Sequence, residues 1–173
     1  TLAGSSAASD VYKRQEKLGG MSNIDFVIYS DTPYGATEPE FLARVELLTK
    51  WLRDKEEVHH VLSFADTLKR LNKNMHGDDD AYYRLPEDGE LASQYVLLYE
   101  MSLPFGLDLS NQLDIDKSAM RIIAVIDNLG SKDLTALESD AKAYFKSLGS
   151  DNRLEAASPP LMFAHIGDRN MES

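Results

Sequence analysis

Two stretches of this sequence are short, β-branched runs that each lead through a turn or cap into an amphipathic helical stripe, and that repetition constrains the fold more than any other feature. The first run, Ile24 to Ser30 (IDFVIYS), reads as a buried strand that stops at the turn cluster Asp31 to Gly35. Thr37 then opens a helix with Glu40 three residues on and Pro39 in its first turn, a capping-box pattern. Phe41, Val45, Leu48 and Leu52 recur at helical spacing, and Leu42 and Trp51 widen the stripe. Val58 to Phe64 closes the first unit as a second strand. The second run, Ser118 to Ile126, places Met120, Ile122, Ala124 and Ile126 on one face. Ser131 caps the helix that follows, Leu134, Leu137, Ala141, Tyr144, Phe145 and Leu148 form its stripe, and Gly149 sits where a C-terminal cap belongs. After Pro159-Pro160, Leu161 to Ile166 is expected to be the last strand.

Between the two units lies a helical excursion over about residues 65–107. Leu68, Leu71 and Met75 share one helical face that ends at His76-Gly77, and Pro86 precedes a helix with Leu91, Tyr95 and Leu98 in register. Two strand-helix-strand units in succession predict an α+β fold, the ferredoxin-like βαββαβ sandwich, with helices on one face of an antiparallel sheet and a helical insertion between strands 2 and 3. A domain of this kind could close on itself if its first and last strands paired.

Residues 1–15 are small and polar, and SAASDVYKRQ resembles a translated adapter sequence, so they are expected to be a non-native or disordered tail. Residues 16–173 are then a single domain. The formal charge of -11 argues against a nucleic-acid partner, because phosphate binding needs clustered Lys and Arg. With no cysteine there is no disulfide, thiolate metal site or thiol nucleophile. No run approaches the roughly 18 apolar residues that span a bilayer.

The residues offer little catalytic chemistry. His59 and His60 are adjacent in a predicted strand and point to opposite faces, so they do not share a metal ion. His76 with Asp78, Asp79 and Asp80 reads either as a cation site or as a solvated loop, and His165 as a core or rim histidine of the last strand. Asp114 to Ser118 begins like a calcium loop, but Ala119 and Val125 stand where Gly and Glu belong. No nucleophile elbow or phosphate-cradling loop is present. The chain is expected to be no enzyme, with no catalytic, metal or cofactor-binding residues and no cofactor. One concentration stands out: Tyr82, Tyr83, Tyr95, Tyr99, Met101 and Phe105 fall within the helical excursion. They read either as packing of the insertion onto the sheet or as a contact surface for an apolar substrate or a partner domain.

Several segments resemble the first large extracytoplasmic loop of MMPL-type exporters of the resistance-nodulation-division superfamily. They are Leu18-Gly19-Gly20, Ser63 to Asn72 (SFADTLKRLN), Met75 to Pro86 (MHGDDDAYYRLP), Glu90 to Glu100 (ELASQYVLLYE) and Asp116 to Arg121 (DKSAMR). The resemblance implies a ferredoxin-like porter subdomain of a proton-driven exporter of hydrophobic or amphiphilic compounds such as lipids and drugs. Its partners would be the transmembrane helices and second loop of the same exporter, and further copies if the exporter is oligomeric. The whole protein would sit in the inner membrane of a bacterium with this domain on the periplasmic side, and the segment from Phe163 to Met171 would approach the second membrane helix. The residues taken alone leave open a free-standing ferredoxin-like module that binds a ligand or a protein.

Overall fold

The computed structural model describes residues 20–149, 151–159, 161–163 and 165. The expected tail at 1–15 lies outside them. Strand β1 (Met21–Tyr29) leads through a 3-10 turn at Gly35–Thr37 into helix α1 (Pro39–Arg53). Then come β2 (Val58–Ser63), α2 (Phe64–Met75), a 3-10 turn at Asp80–Tyr82, α3 (Gly89–Ser102), β3 (Ala119–Asp127), α4 (Ser131–Ser147) and β4 (Arg153–Ala157). The four strands form one antiparallel sheet in the order β2-β3-β1-β4.

Period-two alternation makes the sheet two-sided. Ile24, Phe26 and Ile28 of β1 and Met120, Ile122, Ala124 and Ile126 of β3 turn one way and are buried. Asp25, Val27 and Tyr29 turn the other way and stay partly exposed. The buried face meets the stripes of α1 and α4: Phe41, Leu42, Val45, Leu48 and Leu52 from one, Leu134, Leu137, Ala141 and Phe145 from the other, all in a single core. Outside that core, Trp51 and Tyr144 stack at 5.2 Å and tie the two helices together. The molecule is thus an α+β fold built on a four-stranded antiparallel sheet.

Three local expectations need correction. The last strand is Arg153–Ala157, ahead of the prolines, while residues 161–163 and 165 are helical. The reason is chemical: the hydroxyl of Ser158 accepts from the Leu161 N–H at 3.1 Å, and the Ser158 carbonyl accepts from the Met162 N–H at 3.0 Å. Ser followed by Pro is a helix start, with the cap and the preset φ in place. Leu161 reaches the core from this helical stretch. The capping box at Thr37 does not form. Glu38 is the N-cap residue with no side-chain bond, and the Thr37 hydroxyl instead donates to the Tyr34 carbonyl at 2.8 Å. Likewise Gly130, not Ser131, precedes α4. At the other end of α4 the expectation holds, because Gly149 takes a left-handed φ of 73°.

The histidine pair also behaves differently from a regular strand. The β2–β3 register shifts between Val58 and His60, so Val58 and Val61 are both buried and the two histidines between them are both exposed. A bulge inserts one residue and breaks the alternation. His59 pairs with Asp127 at 2.6 Å.

The segment read as a failed calcium loop is the turn that leads into β3. Asp114 accepts from the Ser118 and Ala119 N–H groups at 2.6 and 2.9 Å and from the Ser118 hydroxyl at 2.5 Å. Burial opposes the charge on Asp114, but these bonds outweigh it and hold the carboxyl below its usual range. A depressed carboxylate contributes stability above the unfolded pKa, and that contribution is lost as pH falls through the lower folded value. Asp114→Ala is therefore expected to cost about 1 kcal/mol at neutral pH. The cost should shrink in acid, so denaturant melts of both proteins at neutral and acidic pH check it; an unchanged difference would remove Asp114 from the acid response.

Candidate functional site: the helical excursion and its apolar ridge

The chain leaves the sheet at Ser63, whose hydroxyl accepts from the Ala65 N–H and caps α2. Phe64, fully buried, is the first helical residue and meets Tyr99 of α3 edge-on at 5.8 Å. Asn72, buried on α2, binds the excursion together. Its amide nitrogen donates to the carbonyls of Tyr82 and Arg84 at 3.1 and 3.0 Å, and its amide oxygen accepts from the Tyr95 hydroxyl at 3.2 Å. One side chain thus joins α2, the loop after it and α3.

This geometry sorts the six aromatic and methionine residues of the excursion into two groups. Tyr95 is buried, and Tyr99 packs against the core. Tyr82 stacks on His76 with ring centroids 3.8 Å apart, and Tyr83, itself exposed, lies under the Lys69 ammonium. Met101 and Phe105 face outward, at 75% and 109% of their reference exposure. Beside them Leu97, Leu98 and Leu107 are exposed as well. The sequence pointed to Met101 and Phe105, left Leu97 and Leu107 unmarked, and set Leu98 in register with Leu91 and Tyr95, whereas Tyr95 is buried and Leu98 is exposed. The available signal was that α3 carries large apolar residues on every side, a pattern that asks for cover on more than one face.

Leu97 also borders a cleft of about 310 Å³ between α3 and the turn before α1. Its opposite wall is made by two residues with left-handed backbones, Tyr34 at φ 60° and Lys117 at φ 53°. For side-chain-bearing residues this conformation is uncommon and persists only when neighbours enforce it. Here the Tyr34 N–H donates to the Asp116 carbonyl, and the Ala36 N–H to the Lys117 carbonyl, both at 2.9 Å. Two pairs of polar side chains are joined in the cleft, Thr37 with Ser93 at 2.8 Å and Lys117 with Glu100 at 2.5 Å, and Glu90 and Gln94 line it beside them. The result is a polar floor bordered by Leu97, with Met101 one turn further along α3.

The acidic loop is self-contained. Asp80 pairs with Lys73 at 2.6 Å, Asp79 accepts from the Ala81 N–H, and His76 Nδ1 contacts the Asn72 carbonyl at 2.7 Å. Among the described residues, no three His, Asp or Glu side chains come together as a metal-binding group. His165 lies in the helical stretch after β4 and contacts Glu138 of α4 at 2.7 Å, an interaction shared with Lys142. No helix among the described residues is long and apolar enough to cross a membrane. Comparison with protein-family models and with curated proteins finds no match for this chain.

Proposed function

We propose that this chain is the extracytoplasmic porter domain of a proton-driven exporter of the resistance-nodulation-division superfamily, MMPL type, acting on hydrophobic or amphiphilic compounds. The observation that carries this reading is a partly polar cleft bordered by exposed Leu97, with exposed Met101 one turn further along α3 and exposed Phe105 just beyond its end, because an amphiphile needs both kinds of surface within reach. The sheet order read as β4-β1-β3-β2, all antiparallel, supports a ferredoxin-like βαββαβ sandwich with α2 and α3 inserted between its second and third strands. In this reading the domain performs no chemistry. It offers a surface to the substrate or to the second-loop domain and moves with the membrane helices, which supply the energy.

A second reading, a free-standing ligand- or protein-binding module, is favoured by one feature. Strands β1 and β4 pair with each other from Asp25–Ala157 to Tyr29–Arg153, so the first and last strands of the sheet are neighbours within the domain itself.

The parent gene decides between them. An exporter requires an apolar segment of ~20 residues on each side of the domain. Finding both is the expected result. A stop codon shortly after Ser173 together with a polar upstream region would overturn the exporter reading and leave the module.

A further inference from the structure

A second cleft, of about 410 Å³, lies where β2, the start of α2, Tyr83, Tyr99 and Gln112 converge. Its composition runs against the rest of the molecule. In a chain of formal charge -11, this cleft brings together Arg53, Arg70 and His60 with a single carboxylate, Asp66. We propose that it is a binding site for a small organic oxyanion, a phosphate ester or carboxylate with a planar body.

The argument rests on how the donors are used. Asp66 is committed on both oxygens, one to Arg53 and the other to Lys69 at 3.0 Å. Burial works against its charge, but the bonds from Arg53 and Lys69 outweigh burial and keep it ionised. Lys69 is committed in turn to Glu46, also at 3.0 Å. Arg53 spends one nitrogen on Asp66 and the Val61 carbonyl at 3.0 Å, which fixes the guanidinium plane and leaves further N–H donors. Arg70 makes one neutral contact, to the Thr67 hydroxyl at 3.3 Å. A guanidinium presents five donors in a fixed fork suited to two oxygens of one anion, so Arg70 retains a bidentate face toward the cleft. His60 contributes an N–H in either protonation state, and the bulge in β2 is what turns it outward. For the organic body, the rings of Tyr83 and Tyr99 line the same space, and Lys69 holds the Tyr83 ring at 5.2 Å. The volume lies in the range of small-molecule sites.

This inference goes beyond the exporter reading and does not depend on it. The test is titration of the full chain with phenyl phosphate, followed by calorimetry and amide chemical shifts. Saturable binding is expected, with shifts at residues 60–70 and at Tyr83, and weakened about tenfold or more by Arg70→Gln, the loss of one charge-assisted bidentate contact. Arg70 is exposed, and glutamine is a good helix former, so the variant should fold. Arg44→Gln, on α1 away from the cleft, should leave binding unchanged. Benzoate should compete and phenol should not. Failure of phenyl phosphate to saturate would overturn the site, as would equal binding of phenol or indifference to Arg70→Gln. Binding of inorganic phosphate as tightly as phenyl phosphate would overturn the role given to the tyrosine rings.

Discussion

Phe64→Ala is expected to lower stability by about 3–5 kcal/mol. Phe64 is fully buried at the point where β2 becomes α2, and its ring meets Tyr99. Removing the ring opens a cavity between the sheet and the excursion at once, and the backbone on both sides is fixed in regular structure and cannot collapse into it. For a chain of this length, a loss of that size corresponds to a fall in melting temperature of roughly 10 °C. Thermal melts followed by circular dichroism check this. A fall of only a degree or two would mean that the excursion repacks without the ring, and that its attachment to the sheet is looser than the geometry implies.

The second large effect is expected at Asn72. Asn72→Ala strands the buried Tyr95 hydroxyl and the Arg84 carbonyl and leaves the Tyr82 carbonyl with the Arg84 N–H alone, at an expected cost of about 2–3 kcal/mol. Asn72→Asp keeps the shape but points a carboxylate at the carbonyls of Tyr82 and Arg84, and should cost more. The pattern of damage separates this residue from Phe64. Amide exchange should quicken over residues 80–102 while β1 and β3 keep their protection, because Asn72 ties the excursion to itself and not to the sheet. Equal loss of protection across the sheet would show that the excursion and the sheet unfold as one unit.

The central strands were legible because β1 and β3 lie in the middle of the sheet with one face buried, so alternation was forced on their sequences. β4 was not. As an edge strand it sends only Leu154 fully inward, and its polar, alanine-rich stretch carries almost no pattern. The apolar run after Pro159 attracted the strand assignment instead, since short apolar runs read equally well as helix or strand, and the deciding signal was the Ser158-Pro159 start. On the candidate surface, residue type separated apolar from polar but not inside from outside. Tyr95 and Met101 are six residues apart on a helix that is apolar all round, and what distinguishes Tyr95, which turns in, is the Asn72 amide oxygen that accepts from its hydroxyl. The oxyanion cleft was invisible for a different reason. Arg53, His60, Arg70 and Tyr83 come from four separate segments, and the bulge that exposes His60 has no sequence mark.

The pairing of β1 with β4 has a mechanical consequence. Because the two strands run antiparallel as neighbours, Ala157, where the chain leaves the sheet, lies directly across from Asp25, on the half of β1 through which the chain enters it. A force drawing those two points apart would act on the hydrogen bonds between them one after another, as a zipper opens, and not on all of them in shear. Such a joint yields at low tension along that direction while the sheet resists loads across its face. A neighbour gripping both strands at that end could therefore swing the domain as a whole, but could not stretch it without first opening its edge.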